Sequence, residues 1–362
     1  MAAQDAGTLI GWFRRGRRDL PWRGPIPRDP YSVVVSEVMA QQTQVQRAAA
    51  AYPAFLRRFP SIAALAAADV DEVVHAFAGL GYYRRARLLH RAARAIVARG
   101  AWPTTARELA MLPGFGAYTA AAVAALAFGG DEPPVDGNVA RVTARVLALA
   151  LPLGSPALLR AGRAFARDLH VGAPDPELFE ALMELGATVC TPTSPRCDEC
   201  PLLPRCAAAA AGAAEAFPLP RTHRRRERQR WAAVWLERPD RTVLLRRVDE
   251  GPLLAGLWLP PFAVLADRED PEAAARALAR DAAWPVPLAP VAAVRHTITH
   301  RDIQVLPFVG SVAAARVGED RAGWRWHDPD HPSVPSSTLL AKLAAACGRR
   351  RAGSPHRANG EE

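Results

Sequence analysis

The apolar positions of this chain follow one rule for most of its length and another afterwards. Up to about residue 220 they recur every three or four residues, the spacing of one helix face. The runs are Tyr31–Val45, Tyr83–Ala98, Thr119–Phe128, Val139–Leu149, Pro156–His170 and Pro176–Val189, separated by short Gly/Pro connections. This predicts an all-α domain over 1–220, built from helix–loop–helix junctions. From residue 231 the helical spacing gives way to short apolar runs. Trp231–Leu236, Thr242–Arg247, Ala292–Ile298 and Ile303–Val309 read as strands, with helices over Pro271–Ala282 and Ser336–Ala346. That predicts a smaller α+β domain over 231–346. Between the two, residues 221–230 (RTHRRRERQR) hold six arginines and one glutamate and read as a basic linker. Its charge either keeps a spacer soluble or meets phosphates. Residues 347–362 read as a disordered tail.

Composition changes this picture in three ways. At 362 residues, half of them hydrophobic, the chain can bury two separate cores. No stretch reaches the ~20 apolar residues of a membrane span, and the first twenty residues have no signal-peptide pattern, so the expected setting is a reducing cytoplasm with Cys347 a free thiol. The net charge of +10 points to a polyanionic partner. Of the 46 basic residues only Lys342 is a lysine. Chemistry that needs a lysine amine as nucleophile is therefore confined to Lys342 or the N-terminus.

Four cysteines, Cys190, Cys197, Cys200 and Cys206, lie in the run CTPTSPRCDECPLLPRC. The C-x6-C-x2-C-x5-C comb suits a 4Fe–4S cluster better than zinc, which favours two short C-x2-4-C knuckles. It is also wider than the C-x2-C-x2-C of ferredoxins. Two disulfides would suit a secreted chain, which nothing else here suggests.

In Leu112–Ala120 (LPGFGAYTA), Gly114 and Gly116 flank one residue just before an alanine-rich helix. The segment reads either as an ordinary turn or as a hairpin aiming helix N–H groups at a phosphate. Asp136 precedes the run Val139–Leu149 and can cap it; it can also face a developing positive charge. Glu37, among apolar neighbours, is either a surface residue or, if it faces a pocket, a carboxyl with raised pKa suited to general acid work.

Glu37 with Gln41-Gln42-Thr43, Gly79-Leu80-Gly81-Tyr82-Tyr83, LPGFGAYTA, VDGNVAR and the cysteine loop occur together and in this order. Over Trp12–Cys206 the chain resembles the helix–hairpin–helix, iron–sulfur superfamily of DNA glycosylases, and within it the MutY-type adenine DNA glycosylases. The resemblance implies a multidomain protein. An all-α glycosylase domain with a 4Fe–4S loop at 190–206 would precede a C-terminal α+β Nudix-like domain.

It also implies residue roles. Glu37 would be the general acid and base, and Asp136 would stabilise the oxocarbenium-like sugar. Tyr118 and Asn138 would position them. Arg18, Leu20, Trp22, Arg23 and Glu180 would line the adenine pocket, with Trp22 equally readable as core packing. Gln42 and Tyr82 would wedge into the duplex, and Gly114 and Gly116 would meet its backbone.

Endonuclease III-type relatives carry a Schiff-base lysine where this chain has Tyr118, so base removal without strand cleavage is expected. The implied substrate is double-stranded DNA with adenine opposite 8-oxoguanine or guanine. The abasic product passes to downstream repair enzymes, and the protein is expected to be a monomer on the bacterial nucleoid. An endonuclease III-like glycosylase/lyase and a catalytically silent iron–sulfur DNA-binding protein are the alternatives; a Nudix hydrolase is a more distant one.

In the second domain Gly256-Leu257-Trp258 resembles the family's 8-oxoguanine-reading domain. The metal-binding R-E-x-x-E-E helix of Nudix hydrolases has no counterpart in Arg276–Asp281. The lesion-reading Phe-Ser-His becomes Ile298-Thr299-His300, so Thr299 and His300 keep hydrogen-bonding groups and a ring is lost. Weaker discrimination of 8-oxoguanine from guanine is the expectation.

Overall fold

The computed structural model describes residues 2–77, 79–81, 83–221, 226–249, 253–313, 323–330 and 334–348. Two compact units divide the chain, Met1–His223 and Arg224–Glu362.

The first unit is helical: α1 (Ala2–Gly16), α2 (Pro30–Ala40), α3 (Val45–Arg58), α4 (Ile62–Ala67), α5 (Val70–Ala76), α6 (Arg84–Arg99), α7 (Ala106–Leu109), α8 (Ala117–Phe128), α9 (Gly137–Val146), α10 (Pro156–Gly172), α11 (Leu178–Thr188) and α12 (Ala207–Ala210). Helix starts carry their own signals. Asp29 and Ser155 accept from the amides of Ser32 and Leu158, each followed by a proline at the first helical position. Helix α1, not among the expected elements, shows a helical stripe of Ala6, Leu9, Ile10 and Phe13. All four are buried in one core with residues of α9, α10 and α11.

The run expected as one helix over Tyr31–Val45 is broken. Helix α2 ends at Ala40, Gln42 adopts φ 52°, and α3 starts at Val45. Arg85 on α6 caps the broken end. Its guanidinium takes the carbonyls of Val38 (2.8 Å), Met39 (3.2 Å) and Gln41, which otherwise would have continued or faced the next turn.

Among the described residues the second unit holds one mixed sheet of eight strands: β1 (Glu227–Glu237), β2 (Val243–Arg247), β3 (Trp258–Leu259), β4 (Phe262–Leu265), β5 (Ala289–Pro290), β6 (Val294–Ile298), β7 (Arg301–Ser311) and β8 (Trp324–His327). Strands β1 and β7 run parallel from Glu227 opposite Arg301 to Glu237 opposite Ser311; the other pairings are antiparallel. Helix α13 (Pro271–Asp281) buries Ala275 and Ala279 against Val234, Leu236 and Phe308. Helix α14 (Thr338–Gly348) buries Leu339, Leu340 and Leu343 with Trp231, Trp235 and Val305, so the sheet lies between two helices.

The α+β expectation holds, but β1 begins at Glu227, inside the stretch expected as linker. Pairing with β7 extends a strand through polar residues that carry no apolar signal. Cys347 and Gly348 close α14 instead of opening the tail, and Cys347 is buried with its thiol pushed up to about 12 by burial. The rest of the expected tail, 349–362, lies outside the described residues. Among the described residues no helix is long and apolar enough to cross a membrane.

Candidate active site and cysteine pocket

Four helices bring the expected chemistry together. Glu37 stands on the last turns of α2, Tyr118 at the start of α8, Asp136 at the start of α9 and Glu180 on α11. Burial pushes the Glu37 carboxyl up to about 7. A hydrogen bond from Tyr118 opposes the shift, nearby Glu180 and Asp136 reinforce it, and Arg28 opposes it. The Tyr118 hydroxyl also lies 3.1 Å from Met183 Sδ. The hydroxyl thus has two acceptors within reach, the sulfur of Met183 and the carboxyl of Glu37. Burial and the two neighbouring carboxylates, Glu37 and Asp136, hold the Tyr118 phenol well above its usual range, so it stays a neutral donor.

Asp136 takes the capping role open to it. As cap of α9 its Oδ1 accepts from the amides of Asn138 (2.9 Å) and Val139 (2.8 Å), and its Oδ2 accepts from the Asn138 side-chain amide (2.8 Å). Burial raises its pKa against these hydrogen bonds. Asn138 is fixed in turn by Arg141, whose Nη2 donates to Asn138 Oδ1 (2.9 Å) and to the Gly186 carbonyl (2.8 Å). Gly186 has to be glycine because a Cβ there would sit 2.6 Å from Asn138 Cβ.

Beside these groups is a buried chain of charges. Arg28 grips Glu180 with both terminal nitrogens (3.0 and 2.7 Å). Arg23 lies 3.6 Å from Glu180 and donates to Glu184 (2.8 Å), and Arg18 donates to Glu184 through Nε (2.8 Å) and Nη2 (2.7 Å). Burial would raise the Glu184 carboxyl, but the hydrogen bonds from Arg18 and Arg23 outweigh it and hold it at about 2. Leu20 is buried. Trp22 meets Tyr52 of α3 edge-on at 5.4 Å, a packing role.

Gln42 is exposed, at a turn that Arg85 also fastens through Thr43 Oγ1 (2.9 Å). The same guanidinium reaches the carbonyls of Leu80 (3.1 Å) and Gly81 (3.0 Å), so one buried cation ties two turns. Tyr82, the other expected wedge, lies outside the described residues. Gly114 has φ 84°, and a Cβ there would meet Leu88 Cβ at 2.7 Å. The close approach it permits is to α6, within the fold. Gly116 has open space around it and caps α8 without a side-chain hydrogen bond, which leaves the first amides of that helix uncapped by side chains.

The four cysteines line one pocket with Arg145, Val189 and Leu203. Burial, then the mutual repulsion of thiolates, raises Cys200 to about 11 and shifts Cys206 upward. Four thiols gathered in one pocket, with Cys200 and Cys206 resisting ionisation, fit a site whose charge is balanced by bound iron or another cation. Among the described residues no group of three or more His, Cys, Asp or Glu side chains is set to hold a single metal ion. Arg145 secures the loop: it donates to the carbonyls of Thr191 (2.6 Å), Pro192 (2.9 Å) and Phe217 (3.0 Å) and lies 3.3 Å from Cys190 Sγ. Arg141 Nε donates to the Cys190 carbonyl (2.9 Å), so this side chain spans from the cysteine loop to Asn138.

In the second unit Thr299 and His300 form the two-residue turn between β6 and β7, Thr299 with φ 55°. His300 lies 3.7 Å from Glu227, and Ile298 packs on the α14-side core, leaving the two polar side chains to face out.

Residues 35–151, which include Glu37, Tyr118 and Asp136, match the family model described as HhH-GPD superfamily base excision DNA repair protein. The helical unit belongs to the HhH-GPD superfamily. Human adenine DNA glycosylase is 43% identical over 211 residues, covering 56% of this chain and 39% of that protein. The adenine DNA glycosylase of Mycobacterium tuberculosis (strain ATCC 25618 / H37Rv) is 43% identical over 198 residues, covering 54% of this chain and 64% of that protein. A solved thermostable thymine-DNA glycosylase aligns with a TM-score of 0.48 at 27% identity, over 57% of this chain and 95% of that one. The chain thus spans less than two thirds of the length of these two curated relatives.

Several residues that hold this HhH-GPD site together carry no motif signal: Arg28, Arg85, Arg141, Arg145 and Glu184. Each is a charged residue at a buried position. Only the spacing of Glu180 and Glu184, one helical turn apart on α11, hints at two carboxylates on one face.

Proposed function

We propose that this chain is a monofunctional DNA glycosylase that excises adenine mispaired with 8-oxoguanine or guanine, by hydrolysis of the N-glycosidic bond in base excision repair. The observation that carries the reading is Glu37: a half-buried residue whose carboxyl is raised to about 7 by burial, within hydrogen-bonding reach of Tyr118 and close enough to Asp136 to feel its charge. A general acid works best with a pKa near the ambient pH. Neutral Glu37 gives its proton to the leaving adenine as the bond to C1′ breaks. Asp136, held by three hydrogen bonds, faces the positive charge that develops on the sugar. Water then adds to C1′ and returns its proton to Glu37. Two carboxyl groups about a glycosidic bond are the logic of glycoside hydrolysis. Tyr118 stands where a lyase would need an amine, and a phenol cannot form an imine. The relatives named adenine DNA glycosylases support the choice of base.

The flipped adenine would lie against the charge chain of Arg18, Arg23 and Glu180, with Leu20 and Trp22 behind it. The exposed Gln42 turn and Tyr82 would fill the space it leaves, and the uncapped start of α8 at Gly116 would meet a phosphate. Cys190, Cys197, Cys200 and Cys206 would hold a 4Fe–4S cluster, which when bound supplies rigidity to the loop Thr191–Arg205. The second unit would serve as a Nudix-like reader of 8-oxoguanine through Thr299 and His300. Its helix α13 offers no metal-binding glutamate pair, since Glu272 is its single glutamate, so pyrophosphate hydrolysis is not part of the proposal.

The test is base release from duplexes carrying A:8-oxoguanine, A:G and T:8-oxoguanine. Free adenine from the first two, lost in E37Q and D136N, supports the reading. Release of a pyrimidine, or no release by a protein that binds these duplexes, overturns it in favour of the lyase or the silent binder.

A further inference from the structure

Glu37 and Tyr118 ride on separate helices, α2 and α8, so whatever fixes one helix against the other belongs to the site. Shape alone fixes them weakly. From Ala120 to Ala127, α8 buries only alanines, Val123 and Leu126. Side chains this small and uniform interlock little, and a buried polar contact then does more to set a single arrangement. Gln41 supplies one. It follows Glu37 by one helical turn, and its N–H donates to the Glu37 carbonyl (3.2 Å). Its own carbonyl accepts from Arg85. With the backbone held on both sides, the side chain crosses to α8, where Nε2 donates to Thr119 Oγ1 (2.9 Å). Thr119 is 3% exposed and directly follows Tyr118. The Tyr118 hydroxyl has Met183 Sδ at 3.1 Å as a second acceptor, so a small shift at the start of α8 decides which acceptor it serves.

We infer that Gln41, acting through Thr119, is a positioning residue for base excision: it holds the start of α8, and with it the Tyr118 hydroxyl, within reach of the Glu37 carboxyl. The inference rests on the reading of Glu37 as the general acid; the hydrogen bond between Gln41 and Thr119 does not. A bond from Tyr118 favours the ionised carboxyl against the burial that raises it. Glu180 on α11 and Asp136 on α9 favour the neutral form, and Arg28, ahead of α2, favours the carboxylate. Without the tie the Tyr118 bond weakens and Glu37 becomes harder to ionise. The pH above which it can no longer give a proton then rises.

The experiment uses the full chain and a duplex with one adenine opposite 8-oxoguanine, with single-turnover rates of adenine release measured at saturating protein across a pH range on both sides of neutrality. T119V keeps the side-chain shape and removes the hydroxyl; T119S keeps the hydroxyl; Q41L removes the amide. T119V and Q41L should slow release near neutral pH by roughly 10–100-fold, the scale of a misplaced catalytic group. Their alkaline limb should move up by as much as about 1 pH unit, so the deficit narrows at high pH. T119S should restore both rate and limb, and Q41L/T119V should be no slower than either single variant. Kd for the duplex, measured in the E37Q background, should be unchanged by T119V. Melting curves verify that all variants remain folded. A slower rate with an unshifted limb overturns the inference, because a merely structural contact would do that. T119S as impaired as T119V, or additive losses in the double variant, also overturns it. An active wild type with an unaltered T119V overturns this inference alone. A wild type that releases no adenine overturns the glycosylase reading and this inference with it.

Discussion

Replacing Glu37 by glutamine should abolish excision and at the same time stabilise the protein, by an amount that depends on pH. In the folded chain the carboxyl titrates at about 7, against 4.5 for a free side chain. A raised folded-state pKa favours the folded state fully below pH 4.5, and that advantage is lost as pH rises through 7. Glutamine does not titrate. Relative to it, the wild-type carboxyl costs roughly 1.4 kcal/mol at pH 5.5 and about 3.4 kcal/mol at pH 8.5, from 1.36 kcal/mol per pKa unit. Solvent reaches part of Glu37, so these are upper bounds, and the difference of about 2 kcal/mol between the two pH values is the safer quantity. For a domain of this size, ~2 kcal/mol is roughly 4–8 °C in Tm. The assay is thermal melting of both proteins at pH 5.5 and 8.5, read through the helical signal. The advantage of E37Q should widen with pH by that amount. A constant offset, or an advantage that shrinks with pH, would refute the raised pKa and with it the assignment of Glu37 as a neutral acid.

E184Q should cost about 3–5 kcal/mol at pH 7, because it leaves the guanidiniums of Arg18 and Arg23 without their buried counter-charge. The wild-type contribution should persist above pH 4.5 and fade only as pH drops towards 2, where Glu184 titrates; a loss under 1 kcal/mol by urea denaturation would contradict the charge chain. R85M should cost roughly 2 kcal/mol or more by stranding carbonyls of two turns. Limited proteolysis should then cut first at 41–43 or 80–81, and unchanged protection there would show that Arg85 does not fasten them. C200S should lower iron per chain and melting temperature together, and full iron content with unchanged melting would separate the cysteine loop from any cluster.

The sequence made the chemistry more legible than the framework that holds it. Glu37, Tyr118 and Asp136 stand in short motifs at helix starts and ends, where local rules apply: Asp136 was readable as a cap and is one. Arg85 was not, because an arginine on the apolar stripe of α6 finds its partners in turns some forty residues away. Glu184 is matched by Arg18 and Arg23, more than 160 residues earlier in the chain. The break between α2 and α3 is hidden for the same reason: apolar spacing continues through Val45, while the carbonyls at the break are met by Arg85, distant in sequence. The start of strand β1 is not legible because Glu227–Arg230 owe their extended form to parallel pairing with Arg301–Gln304, not to their own side chains.

The central claim, adenine removal by two carboxyl groups without a lysine, has one direct test. A duplex with a single adenine opposite 8-oxoguanine is incubated with the purified protein, the sample is divided, and only half is heated in alkali. Strand breaks at the adenine after alkali alone, absent in E37Q, are the predicted result. Breaks without alkali would mean that the chain is a lyase, and would contradict the role given to Tyr118.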